Sequence, residues 1–160
     1  MRSLTAFGVV CAIGGLLACD DEVGPTEVET FTAVMNGANV NPPSGPITTP
    51  ATGTATLSVV GGVIVYRIDV ADITDVFAAH IHAPAIATVN AGVTVNLCGT
   101  GGPTPDCESG TGVLAAGVAT QVNGMSFDRL LTLFRTDSAY VNVHTTANPG
   151  GEIRGQIRAQ

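Results

Sequence analysis

From Phe31 onward the chain alternates apolar and polar residues, and glycine- and proline-containing breaks cut it into short runs. A period of two places alternate side chains on opposite faces, which suits strands with one buried face and excludes a helical bundle. Ala55, Leu57 and Val59 alternate with Thr54, Thr56 and Ser58, and Gly61-Gly62 marks a tight turn. Beyond it Ile64, Tyr66, Ile68 and Val70 form an apolar face with Arg67 and Asp69 opposite. Further strands are predicted at Phe31–Met35, Ala78–Ala83, Val93–Leu97, Gly112–Ala119, Tyr140–Thr145 and Glu152–Arg158. About eight short strands at this spacing predict an antiparallel sandwich or barrel. Phe127, Leu130, Leu131 and Phe134 instead fall at helical spacing, so one short helix is expected near 126–135 with Ser126 as its N-cap.

The start of the chain reads differently. Residues 1–18 carry Arg2, then an apolar stretch from Leu4 to Leu17, too short to span a bilayer comfortably. Leu16-Leu17-Ala18-Cys19 resembles the bacterial lipobox, which makes Cys19 the expected lipidation site and mature N-terminus. Residues 19–30 hold five acids and little to bury, and are expected to act as a solvated tether. The folded domain is then 31–160. This places the protein outside the cytoplasm, lipid-anchored to a bacterial membrane or cell surface. With a formal charge of -7 and six basic residues, all arginine, the chain has no basic surface for a nucleic acid. In an exported chain Cys98 and Cys107 are most simply a disulfide closing the irregular loop between them; a metal-binding pair is disfavoured by their spacing.

Chemistry concentrates at two places. His80 and His82, two apart on one strand, point to the same face about 6–7 Å from each other. A third ligand from another strand completes a common transition-metal set, and His144 is the one histidine left to supply it. The alternative is that these side chains simply hydrogen-bond loops and carbonyls at the sheet edge. Asn148-Pro149-Gly150-Gly151 between two alternating runs predicts a hairpin. Matching apolar to apolar sets Val143 by Ile153 and Val141 by Gly155, with His144 beside Glu152 and Asn142 beside Arg154 on the other face. Glu152, Asn142 and Arg154 are thus expected around any bound ion, with Glu152 orienting His144. No catalytic residues are assigned: Gly-x-Ser-x-Gly is missing, and no paired carboxylates of the sugar-cleaving kind stand out.

Three landmarks together resemble the CHRD (chordin-type) domain found in secreted proteins. They are Asn36-Gly37-Ala38 followed by Pro42-Pro43; Ala79-His80-Ile81-His82; and Tyr140–Thr145 running through Asn148-Pro149-Gly150-Gly151-Glu152-Ile153-Arg154-Gly155. The sequence departs from the family pattern at Val40-Asn41, where an acidic residue and Val usually precede the prolines. The resemblance implies an immunoglobulin-like β-sandwich in an exported protein and no defined activity. Position 80–82 also resembles the copper strand of copper/zinc superoxide dismutase, but three histidines cannot build that bimetallic site. Two functions follow as expectations: a non-catalytic, lipid-tethered module binding an unidentified protein or extracellular ligand, or a metal-binding protein or metal-dependent enzyme holding one copper or zinc ion at His80, His82 and His144.

Overall fold

The computed structural model describes residues 27–41, 43 and 45–160. The signal segment 1–18, Cys19 and most of the acidic tether lie outside the described residues. Among the described residues the strands are β1 (Glu29–Asn36), β2 (Thr52–Val60), β3 (Val63–Ile73), β4 (Val76–His82), β5 (Val93–Cys98), β6 (Gly110–Ala119), β7 (Tyr140–Thr145), β8 (Ile153–Gln156) and β9 (Arg158–Ala159), with one α-helix, α1 (Phe127–Arg135), and a short 3-10 turn at Gly37–Asn39. All named strand pairs are antiparallel.

The all-β antiparallel architecture with one short helix is as the alternation predicts. The layering differs from the expected sandwich. Instead of two separate sheets, one hydrogen-bonded path runs β5-β4-β7-β8-β1-β2-β3-β6, with β9 added to β1. Its two ends approach each other: the Tyr66 hydroxyl of β3, the neighbour of end strand β6, donates to the Leu97 carbonyl of end strand β5 and lies 2.9 Å from Thr104 Oγ1. The sheet therefore curls into a nearly closed barrel, which removes most of the open edge that a flat sheet would expose. The Cys98–Cys107 disulfide, with Cα atoms 5.4 Å apart, ties the end of β5 to the segment leading into β6.

The core lies inside this curl. Ile64, Tyr66, Ile68 and Val70 of β3 are buried as their spacing requires, along with Phe31, Met35, Leu57, Val141, Val143 and Ile153. Gly61 and Gly62 both take positive φ, 56° and 79°, a turn that matches the twist of the β2–β3 hairpin. Helix α1 closes one end. Ser126 Oγ accepts from the Arg129 N–H as an N-cap, and Leu130, Leu133 and Phe134 face inward, Phe134 meeting Phe31 edge-on at 5.3 Å.

What positions the site is burial on both faces of β7. Every residue from Tyr140 to Thr145 is buried. Val141 and Val143 face the core, while Tyr140, Asn142 and His144 share the outer face. Segment 83–92 lies over that face, held by Ala85 N–H to the Ser138 carbonyl and by Gln156 Nε2 to the Ala85 carbonyl. The polar patch of the last hairpin is therefore covered rather than wet.

Candidate metal centre

Strands β4 and β7 pair with His80 opposite Asn142, His82 opposite Tyr140 and Ala78 opposite His144. The two-residue period puts all three imidazoles on the outer face. Their ring centroids lie 5.0 Å (His80–His144), 5.8 Å (His80–His82) and 6.0 Å (His82–His144) apart. One ring nitrogen from each falls within 4.8 Å of the others. His80 Nδ1 and His144 Nε2 are hydrogen-bonded at 3.2 Å.

Main-chain carbonyls fix two of the rings. His144 Nδ1 is 3.0 Å from the Pro149 carbonyl and His82 Nδ1 is 2.9 Å from the Ala91 carbonyl. A carbonyl can only accept, so both Nδ1 atoms carry the proton in the neutral ring and both Nε2 atoms keep a lone pair. His144 Nε2 accepts from His80 Nδ1–H. His82 Nε2 is buried and has no hydrogen-bond partner. A polar atom left alone in that environment is costly, and a bound cation is one way to satisfy it.

All three rings are held neutral. Burial is the main cause and pushes His80 and His82 down to about 4, with the charge each would feel from His144 adding to it. His144 is lowered by burial too, against an opposing pull from the Pro149 carbonyl. Neutral imidazole is the form that donates a lone pair to a metal.

The hairpin register is the expected one: Asn142 pairs with Arg154, Val141 with Gly155 and Val143 with Ile153. The role expected for Glu152 is corrected. Its carboxylate accepts from Thr49 Oγ1 (2.7 Å), Thr145 Oγ1 (2.6 Å) and Asn148 Nδ2 (3.2 Å), so it braces the turn. The Pro149 carbonyl orients His144 in its place. Burial raises the Glu152 pKa most, but the three donated hydrogen bonds together outweigh it and the net shift is downward.

Arg154 is buried and, among the described residues, makes no ion pair with a carboxylate. Its guanidinium donates to Asn90 Oδ1 (2.8 Å) and to the Ile86 and Val89 carbonyls (3.2 and 2.9 Å). That pins segment 83–92 over the site. The same guanidinium lies 3.5 Å from the centre of the Tyr140 ring, and Tyr140 stacks on His82 at 4.8 Å with planes 4° apart. Asn142 donates to the Gly150 carbonyl at 3.3 Å.

Tyr140 and the two carbonyls are the parts that the sequence reading missed. Tyr140 could have been found by carrying the period-two count across the strand pair from His82. The carbonyls of Ala91 and Pro149 carry no side-chain signal.

The fold and site together define a small barrel-like β domain with a buried polar face and a three-histidine cluster. The CHRD domain model matches residues 31–157, and the chain belongs to the CHRD domain family. No curated protein and no solved structure gives a match.

Proposed function

We propose that this CHRD domain is a non-catalytic binding module whose ligand is a single transition-metal ion, copper or zinc, held by His80, His82 and His144. One observation carries the reading: three neutral imidazoles from two strands converge, with the buried Nε2 of His82 left without a partner. Pro149 and Ala91 act as outer orienting groups, and the half-buried His80 side leaves an approach from solvent. On this reading the lipid on Cys19 and the acidic tether hold the metal site at a bacterial membrane surface, outside the cytoplasm.

Elemental analysis of the full chain, purified without chelator and then offered copper or zinc, tests this. One ion per chain is expected, and His82→Ala should lose it while keeping the wild-type circular dichroism spectrum. No stoichiometric metal under either condition would remove the reading. Tethering is checked separately by labelled-lipid incorporation, which Cys19→Ser should abolish.

A further inference from the structure

Resting on that metal-binding reading, we infer that the site selects monovalent copper over divalent ions. The donor set comes first. It comprises three imidazole nitrogens, and among the described residues no carboxylate or thiolate joins the cluster. Zinc held by three histidines must add a water as its fourth ligand, and Cu(II) prefers a four-donor tetragonal arrangement, so both dications need a donor beyond the three rings. Cu(I), with a filled d shell, is content with three nitrogens.

Charge points the same way. The three ligands contribute none, so the ion's whole charge stands uncompensated in a covered site where His82 and His144 are 6% and 8% exposed. The energetic cost of desolvating an ion grows as the square of its charge, so a dication is penalised about four times as heavily as a monocation. The nearby fixed charges sharpen the bias. Arg154, stacked through Tyr140 on His82, is positive, and its charge is felt at the His82 ring. Glu152 keeps its charge, but its oxygens are taken up by Thr49, Thr145 and Asn148, so it gives no ligand to the ion and acts on it only through space. At several ångströms and an effective dielectric near 20, one extra unit of positive charge beside a guanidinium costs a factor of about ten or more in affinity.

Binding needs one rearrangement. The proton on His80 Nδ1, now shared with His144 Nε2 at 3.2 Å, moves to the Nε2 of His80 through water, and Nδ1 becomes a ligand. His82 and His144 already present Nε2.

The test is anaerobic titration of the metal-free full chain with Cu(I) against bicinchoninate, and with Zn(II) and Cu(II) against their own chromogenic chelators. One Cu(I) per chain is expected, bound more tightly than either dication. Asn96→Asp sets a carboxylate opposite His80 at a half-buried position and should restore dications selectively. Its Zn(II) affinity should rise about tenfold or more, and its Cu(I) affinity by clearly less. Tighter binding of Zn(II) or Cu(II) than of Cu(I) by the wild type, or an equal gain for both charges in Asn96→Asp, would overturn the selectivity. A chain that takes up none of the three ions would overturn the metal-binding reading itself.

Discussion

A buried imidazole whose Nδ1 faces a carbonyl has its tautomer and its charge decided for it, and that has a measurable consequence. The folded His82 titrates at about 4 against an ordinary 6.5, so as pH falls the unfolded chain takes up the proton first. Stability is full above about 6.5 and declines between there and about 4, by about 1.4 kcal/mol per pH unit from His82 alone. Urea unfolding of metal-free protein at pH 7 and pH 5 should show at least this slope, because His80 and His144 add to it, and His82→Phe should reduce the slope without abolishing it. A wild type equally stable at both values would mean that the ring is protonated at no cost. Gly151 is constrained in a different way: its φ is +120°, and a Cβ there would sit 2.4 Å from the Asn142 amide. Gly151→Ala should therefore destabilise by about 2–3 kcal/mol in the same assay. The histidine pair on β4 and the choice of His144 were legible in the sequence because a two-residue period fixes which side chains share a face. The carbonyl contacts were not, since main-chain groups look alike at every position.

At the scale of elements, the β7–β8 hairpin organises the covered face. Its register could be read from polarity because slipping by one residue would turn Val141 and Val143 outward. What covered it could not, because segment 83–92 shows no periodicity. Arg154 holds its middle in place, with donated hydrogen bonds that end on Ile86, Val89 and Asn90, while Gln156 and Ser138 hold Ala85. Arg154→Ala should cost about 2–4 kcal/mol and open that segment to proteolysis near Ala87 and Thr88. Cleavage no faster than in the wild type would show that the segment holds itself. Glu152→Gln replaces a charged acceptor and is expected to lose about 1–2 kcal/mol, through the Thr49 and Thr145 hydroxyls, with metal stoichiometry unchanged. Loss of the ion in that variant would return Glu152 to the role expected from the sequence.

For the whole molecule, alternation announced strands but not their neighbours. Hydrogen-bond order is set by which faces meet, and the pairing of β1 with β8 joins segments more than a hundred residues apart. Alternation left sandwich and barrel both open, and the two-sheet layering implied by the family resemblance gives way to a single curled sheet. The helix was legible because its apolar residues change period, and the cysteine pair because it brackets a segment with no pattern. That bridge fastens the closure of the curl. Cys98→Ala with Cys107→Ala should lower stability by about 2.5–3 kcal/mol on the loop-closure estimate. The loss should leave the β4–β7 ladder, and with it ion stoichiometry, intact.

The position of β1 has one more consequence. It lies between β2, which follows directly, and β8, which comes more than a hundred residues later. During synthesis the first strand thus waits with one flank bare until Ile153–Gln156 leaves the ribosome. Until then the polypeptide lacks the strand that joins its two halves, β5-β4-β7 on one side and β1-β2-β3-β6 on the other. A message truncated just before Ile153 should yield a product that degrades instead of accumulating.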